Sequence, residues 1–155
     1  MGDYCKMRQL LILSCSARKN KTNKEPIPAI ERYDGVFFRV LQKAMREGYA
    51  PPDLEVIILS ARFGLIFSQT PIPFYDQRLT LEQINNLRPE IVKKLGDYLK
   101  EMPDSEILVN LGKTYQPLVQ SVTGLEKATW VSGGSGQRAQ ALKSWLKRNQ
   151  KKRSI

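Results

Sequence analysis

Four short runs of apolar residues alternate along the chain with segments that have helical periodicity. The runs are RQLLILS (8–14), LEVIILS (54–60), SEILVNL (105–111) and KATWVSG (127–133). Continuous apolar runs of this length are typical of strands that are covered on both faces. Strands that alternate with helices favour parallel pairing through right-handed crossovers. The sequence therefore predicts an α/β fold: a single domain with a mostly parallel central sheet of about four or more strands, flanked by helices on both faces in a Rossmann-like manner.

The segments between these runs carry helix signals. Residues 36–48 place apolar side chains at helical spacing and end at a glycine. TLEQ (80–83) has the form of a capping box, and it begins a helix that reaches about residue 100. GKTYQPLVQSV (112–122) predicts a short helix, and residues 135–152 predict a helix with one apolar face. A chain of 155 residues is long enough for one such domain and its core.

Charge is the unusual bulk property of this chain. The sequence has 25 Lys and Arg against 15 Asp and Glu, which gives a formal net charge of +10. Its last 13 residues hold six of the positive charges and no acid, so residues 147–155 form a basic tail. A basic body with a basic tail favours nucleic acid as a partner, because it neutralises phosphates and releases counterions. The alternative is a solvated helix end whose cations complement the helix dipole.

The residue types present also limit the chemistry and the compartment. Histidine is absent, so acid–base steps depend on Asp, Glu, Lys, Tyr or Cys, and a His-ligated metal site is excluded. Cys5 and Cys15 form neither a disulfide framework nor a zinc-site pattern. No signal-peptide order and no apolar run of ~20 residues is found. We expect a protein of the reducing cytoplasm with no metal, no cofactor and no membrane partner.

Each predicted strand ends in a polar or glycine-containing turn: SCSARKN (14–20), SARFGL (60–65), NLGKTY (110–115) and SGGSGQR (132–138). The carboxyl ends of parallel strands meet at one edge of a sheet, so we expect the four turns to converge on one ligand. Small side chains let backbone N–H groups approach an anion, and Arg and Lys attract it. The alternative is that these residues only satisfy turn geometry. The last turn has neither the dinucleotide nor the P-loop spacing, so it does not predict NAD or ATP.

The candidate ligand- or phosphate-binding residues are the members of these turns that carry a hydroxyl, a cation or a bare backbone. They are Ser14, Ser16, Arg18, Lys19, Ser60, Arg62, Gly64, Gly112, Tyr115, Gly133, Gly134, Ser135, Gly136 and Arg138.

Four residues are candidates for catalysis. Asp34 and Asp76 are candidate bases, although Asp76 could instead bond a turn. Tyr75 follows two stiffening prolines and is a candidate acid or a surface for base stacking. Cys15 is a candidate nucleophile, because the nearby cations would favour its thiolate; inert packing is the alternative.

Five motifs together resemble the YaaA superfamily of bacterial peroxide stress proteins. They are SCSARK (14–19), YDG (33–35), ILSARFGLI (58–66), IPFYDQRLT (72–80) and NLGKTYQPLV (110–119). The resemblance implies a DNA-binding or nucleobase-handling role connected with oxidative stress, and related domains occur in enzymes that modify 7-deazaguanine bases. It also implies a pocket made by Arg18, Tyr33, Asp34, Ser60, Gly64, Leu65, Tyr75 and Tyr115.

Three functions are compatible with these features. The first is binding of nucleic acid or a nucleotide, with Arg18, Arg62 and the 132–136 turn holding phosphate and Tyr75 stacking on a base. The second is an enzyme of the lyase, glycosylase or transferase type that acts on a modified nucleobase or nucleoside. The third is a protein-interaction module with a basic tail. The sequence does not indicate which oligomeric state the protein has.

Overall fold

The computed structural model describes residues 8–22, 24–77 and 80–153, with side chains described as far as residue 148. Cys5, the side chains of the tail beyond Arg148 and the end of that tail therefore lie outside the described residues. The strands are β1 (Gln9–Ser14), β2 (Ile27–Pro28), β3 (Glu55–Ser60), β4 (Gly64–Phe67), β5 (Pro71–Ile72), β6 (Glu106–Asn110) and β7 (Thr129–Trp130). The helices are α1 (Ala29–Arg32), α2 (Val36–Arg46), α3 (Leu81–Glu101) and α4 (Ser135–Arg153), with a 3-10 turn at Gln116–Leu118.

The central sheet has five strands in the order β4-β3-β1-β6-β7. β1 pairs in parallel with both β3 and β6, and β6 pairs in parallel with β7. Only the edge strand β4 is antiparallel to its neighbour in this sheet. The predicted α/β fold with a mostly parallel sheet is thus confirmed, and the four predicted strands are β1, β3, β6 and β7.

The two faces of β1 belong to different apolar clusters. Leu11 and Leu13 pack in one cluster with Phe38 of α2 and Trp145 of α4. Leu10 and Ile12 pack in another cluster with residues of α3 such as Leu95. All of these side chains are at most 2 % exposed. This burial on both faces explains why β1 and β3 are uniformly apolar in the sequence.

Three local features differ from the sequence-based expectation. The 60–80 connection contains β4 and β5, because Gly64 adopts a left-handed φ of 73° and turns the chain back along β3. The 112–122 segment forms only a 3-10 turn, with Pro at its first turn. β7 is only two residues long. The last helix begins at Ser135 as predicted and ends at Arg153, one residue beyond the predicted end, so the basic tail begins inside a helix. Within the described residues, no helix is long and apolar enough to cross a membrane.

Candidate ligand-binding site

The carboxyl ends of three adjacent strands bring polar side chains together on the face of the sheet that α2 and α4 cover. These side chains are Cys15, Ser60 and Asn110. Leu13 is in register with both Ile58 and Asn110, and the side chains of Leu13 and Ile58 belong to the cluster on that face. Side chains two residues apart on a strand share a face, which places Cys15 and Ser60 beside this row. β1 lies between β3 and β6, so the chain connects β1 to β3 on one side of β1 and later returns to β6 on its other side. The carboxyl end of β1 is therefore a topological switch point, which is where ligands bind in open α/β sheets.

Ser60 closes a buried ring of hydroxyl groups with two tyrosines. The hydroxyl of Tyr33 lies 2.5 Å from that of Tyr75, and Ser60 Oγ lies 3.3 Å from the first and 3.0 Å from the second. Ser60 Oγ also accepts the N–H groups of Arg62 and Phe63. Three O–H groups can close three hydrogen bonds, so each phenolic proton is used inside the ring. This arrangement favours a structural role for Tyr75 over the predicted role as an acid.

Burial holds the phenols of this ring in their neutral form. Desolvation raises the pKa of Tyr33 to about 12, against the lowering effect of its hydrogen bonds to Ser60 and Tyr75. The pKa of Tyr75 is also raised, first by burial and then by proximity to Cys15. Both side chains are at most 3 % exposed. The ring therefore stays a neutral hydrogen-bonded unit through the whole neutral pH range.

The raised pKa of Tyr33 predicts an alkaline loss of stability. An unfolded tyrosine loses its proton near pH 10, whereas folded Tyr33 keeps it until about pH 12. The stabilising contribution is therefore complete below pH 10 and is lost as pH rises toward 12, with a slope of at most about 1.4 kcal/mol per pH unit. Urea unfolding across this range should show a shallower fall for Tyr33→Phe than for the wild type. Equal slopes would contradict the prediction, and Tyr49→Phe controls for removal of a phenol outside the ring.

Cys15 is half-buried next to this ring and receives two polar contacts. Its Sγ lies 3.1 Å from the hydroxyl of Tyr115 and accepts the N–H of Ala61 at 3.4 Å. Burial raises the pKa of Tyr115, so this phenol remains protonated and can donate to sulfur. The thiol thus sits at the end of β1 between a backbone N–H and a phenol.

Asp34 is already paired with two guanidinium groups. Arg39 donates to both carboxylate oxygens, at 3.1 and 3.0 Å, and Arg18 Nε lies 3.2 Å from Oδ2. The hydrogen bonds from Arg39 make the largest contribution to lowering the pKa of Asp34. A neutralised carboxylate of low pKa is a poor general base, so Asp34 is better suited to fixing the loop after β1 against α2.

Arg32 is a buried cation that sequence reasoning missed. Its side chain is fully buried and forms an ion pair with Glu25. It also donates to the backbone oxygen of Asn20 at 2.7 Å and to that of Ile72 at 3.2 Å. Arg32 thereby ties the segment after β1 to the segment that carries Tyr75. Nothing in the local sequence AIERYDG signals this burial, because the partners are remote along the chain.

Besides the buried Arg32, whose guanidinium lies 6.0 Å from the ring centroid of Phe74, four cations at this edge of the sheet each lie against an aromatic ring. Lys19 lies 4.5 Å from the ring centroid of Tyr75, Lys21 lies 5.0 Å from Phe74, Arg62 lies 5.5 Å from Phe63, and Arg138 lies 4.7 Å from Phe37. The rings of Phe63 and Tyr75 are themselves in edge-on contact. Across residues 8–22, 24–77 and 80–148, these four cations have no carboxylate within ion-pair distance. We call these four contacts the cation–aromatic pairs.

Arg138 has the most defined position of these cations. Its Nη1 donates to Oδ1 of Asn110 at 3.2 Å, and Nη2 lies against Gly112, 4.0 Å from where a Cβ would stand. Asn110 is fully buried, and its Nδ2 has no hydrogen-bond partner among the described residues. The guanidinium is thus a donor held in a fixed position, which suits an acceptor or an anion. Asn110 was missed in the sequence, where its signal is a polar residue at the end of an apolar strand.

The glycine-rich turn before α4 is less open to a ligand than its sequence indicates. Gly133, Gly134, Ser135 and Gly136 are all exposed. The side chain of Gln137 folds back, and its Oε1 accepts the N–H of Gly134 at 3.2 Å. One of the amides predicted to cradle a phosphate is therefore already bonded within the chain.

The remaining predicted residues have separate surroundings. Ser14 ends β1, and Gly64 opens β4 and is buried. Ser16 Oγ donates to the backbone oxygen of Arg18 at 2.6 Å, and its Cβ lies so close to Gly35 that an added Cβ there would approach to 2.7 Å. Asp76 is exposed and, within the described parts of the chain, has no ion-pair partner.

The ring of Tyr75 is not available as the stacking surface that the sequence predicts. Only 3 % of its side chain is exposed, and Lys19 covers its ring. The adjacent Phe74 is 37 % exposed, because consecutive side chains of an extended segment point in opposite directions. Phe74 therefore offers the ring surface that the sequence assigned to Tyr75.

The described residues contain no group of three or more Cys, Asp or Glu side chains that could hold a metal ion.

Comparison with known proteins shows that residues 10–148 match a family described as "Family of unknown function (DUF6884)". No curated protein and no solved structure matches the chain.

Proposed function

Because the chain belongs to the DUF6884 family of unknown function, we propose a function from its own residues: it binds a nucleotide or a nucleic acid at the carboxyl edge of the sheet. The observation that carries this proposal is the set of four cation–aromatic pairs, whose cations have no carboxylate partner in the part of the chain that the structure describes. Phosphate requires cations that are not already neutralised, and bases require ring surfaces. A surface that offers both around one strand edge suits a ligand that has both.

Arg138 is the proposed principal phosphate ligand. Its bond to Asn110 and its packing on Phe37 hold the guanidinium in place before a ligand arrives. A planar guanidinium can donate two parallel hydrogen bonds to phosphate oxygens. The first turn of α2 lies next to it through Phe37, and its N-cap, Gly35, makes no side-chain capping bond. Free N–H groups at this helix end would add to the attraction for an anion.

The proposed path for the rest of the ligand is formed by one aromatic ring and three cations: Phe74, Lys19, Lys21 and Arg62. The exposed ring of Phe74 can stack on a base, which is sequence-tolerant because every base has a π-face. Lys19, Lys21 and Arg62 would follow a phosphate backbone. The resemblance to the YaaA superfamily and a stress-related role stay predictions that are compatible with this proposal.

Removing two of these cations should lower both the affinity and its salt dependence. We expect Lys19→Ala combined with Arg62→Ala to weaken binding of labelled single-stranded DNA, duplex DNA or tRNA by about tenfold or more. The log–log slope of affinity against salt should fall by about 1 for each lost phosphate contact. Fluorescence anisotropy over a salt series measures both quantities for each nucleic acid.

The matched control removes the same charge from the opposite edge of the sheet. Arg46 and Lys100 are exposed residues near the C-terminal ends of α2 and α3, and they have no ion pair among the described residues. Arg46→Ala combined with Lys100→Ala should bind as the wild type does. If both double variants lose affinity equally, binding depends on net charge and not on the carboxyl edge.

A second candidate function, an enzyme acting on a nucleobase or nucleoside, is favoured by the contacts of Cys15. The N–H of Ala61 and the hydroxyl of Tyr115 both approach Sγ and would stabilise a thiolate nucleophile. Attack at the anomeric carbon would form an S–C bond as the glycosidic C–N bond breaks, and the base would leave with the proton released by the thiol. Water would then attack the same carbon, so that the S–C bond breaks, the free sugar leaves with the hydroxyl of that water, and its other proton returns to sulfur. The exposed carboxylate of Asp76 would be available to accept or return a proton.

This candidate predicts turnover that depends on one thiol and one acid. Incubation with nucleosides, nucleotides and tRNA should release a free base in the wild type, and Cys15→Ser should abolish that release. Asp76→Asn should slow it without changing the binding affinity. Unchanged release by Cys15→Ser would exclude Cys15 as the nucleophile, and a complete lack of turnover with intact binding would leave only the binding function.

A further inference from the structure

A cavity of about 500 Å³ lies beside the segment that follows β1. Its walls come from that segment, from α1 and from α2, and none of the four cations or rings of the cation–aromatic pairs lines it. Cavities that hold small molecules measure ~300–1,000 Å³, so this one has room for a small ligand.

Two amide side chains in this cavity are fixed by the backbone of α1. Nδ2 of Asn20 donates to the backbone oxygen of Glu31 at 2.9 Å, and Nε2 of Gln42 donates to that of Ile30 at 2.8 Å. One N–H of each amide is thereby fixed to the backbone, which also fixes the position of the amide oxygen. Neither oxygen accepts a hydrogen bond from the described residues, and the carboxylate of Glu31 has no ion pair among them. The cavity thus presents three oxygen acceptors that lack donors.

The same cavity also has an apolar wall and one cation. Ile30 is 6 % exposed and forms part of the core cluster, whereas the adjoining Met45 is 54 % exposed. An exposed methionine beside a buried isoleucine offers an adaptable surface for an apolar group. Lys24 also lines the cavity, and no carboxylate of the described residues lies within ion-pair distance of its ammonium.

We propose that this cavity binds a free α-amino acid with an apolar side chain. An ammonium group has three N–H donors, which matches the oxygens of Asn20, Gln42 and Glu31. The carboxylate of the ligand would pair with Lys24, and its side chain would pack on Ile30 and Met45. A ligand that has only one of these three parts would leave the other two surfaces unused.

Isothermal titration calorimetry of the full chain with leucine tests this proposal, with three analogues that each lack one part. Glycine lacks the apolar side chain, 4-methylpentanoate lacks the ammonium, and leucinamide lacks the carboxylate. Leucine should bind saturably, and each analogue should bind more weakly, by up to about fivefold for 4-methylpentanoate and leucinamide, which each lose one exposed ion pair. Absence of leucine binding at millimolar concentration, or an analogue that binds as well as leucine, would overturn the proposal.

Two variants and one matched control locate the binding. Glu31→Gln and Lys24→Gln keep the size of exposed side chains, so the fold should persist, and each should weaken leucine binding by about fivefold. Glu101→Gln makes the first of these changes on the exposed end of α3 and should have no effect. Leucine affinity that stays the same in Glu31→Gln places the amino acid elsewhere and refutes the site. None of these variants should alter nucleic-acid binding, so the two proposals fail separately.

Discussion

Replacing Arg138 with alanine is expected to weaken nucleotide or nucleic-acid binding by roughly 10- to 100-fold. Hydrogen bonds to charged groups contribute about 1.5–3 kcal/mol, and about 1.4 kcal/mol corresponds to a factor of ten in affinity. Arg138 should reach this range because Asn110 and Phe37 position its guanidinium before binding. Competition of unlabelled nucleotides against a labelled oligonucleotide, followed by anisotropy, measures the change for both ligand types.

Two companion variants separate a phosphate contact from a general loss of charge or structure. Arg46→Ala removes one positive charge from the opposite end of α2 and should leave the affinity unchanged. Arg138→Lys keeps the charge and loses the paired donors, so its affinity should lie between those of the wild type and the alanine variant. Urea unfolding of each variant shows whether the fold is intact. An affinity for Arg138→Ala equal to that for Arg46→Ala would exclude Arg138 as the phosphate ligand.

Arg18, in the loop after β1, provides a contrast to Arg138 in α4. The sequence alone ranks Arg18 with the phosphate-binding residues, and 72 % of its side chain is exposed. Its Nε, however, already lies against the carboxylate of Asp34, which Arg39 also contacts. A guanidinium that is neutralised in this way contributes less to an anion than one without a carboxylate partner. The structure therefore favours Arg138 over Arg18 as the principal phosphate ligand.

The alternation of apolar runs with helical periodicity was sufficient to predict the main fold. β1 and β3 are buried on both faces, so their sequences carry a continuous apolar signal. β2 and β5 are only two residues long and each contains a proline, so they leave no run to detect. β4 was missed because GLIF (64–67) follows a turn that depends on the positive φ of Gly64, which local composition does not reveal.

The location of the candidate site was predictable, but the partners of its residues were not. Parallel strands bring Cys15, Ser60 and Asn110 to one edge whatever their neighbours are. The rule that ligands bind at the carboxyl ends of parallel strands was therefore enough to locate the candidate site. The burial of Tyr75 and Arg32 depends on contacts across 40 or more residues of sequence with Tyr33 and Ile72. Long-range contacts of this kind decide whether a tyrosine stacks on a ligand or closes a ring, and no local pattern records them.

Ser60→Ala is expected to lower the free energy of unfolding by about 2–4 kcal/mol. The change removes the acceptor for the N–H groups of Arg62 and Phe63 and one hydrogen-bond partner from each of two buried phenols. Each unsatisfied buried group costs about 1–3 kcal/mol, and a hydrogen bond contributes about 0.5–1.5 kcal/mol net. The two N–H groups belong to a turn at the surface, where water can replace Ser60, so most of the effect should come from the tyrosines.

Urea unfolding at neutral pH measures this loss, provided that the dependence on denaturant stays unchanged. Ser105→Ala is the matched control, because Ser105 is a half-buried serine whose Oγ makes a single hydrogen bond, to the backbone oxygen of Met102. That control should lose only about 0.5–1.5 kcal/mol. Equal losses in the two variants would mean that Ser60 acts only as a turn residue. A larger loss for Ser60→Ala, together with the alkaline sensitivity of the wild type, would establish the hydroxyl ring as the element that holds Tyr33 and Tyr75 against the end of β3, and with them the wall of the proposed site.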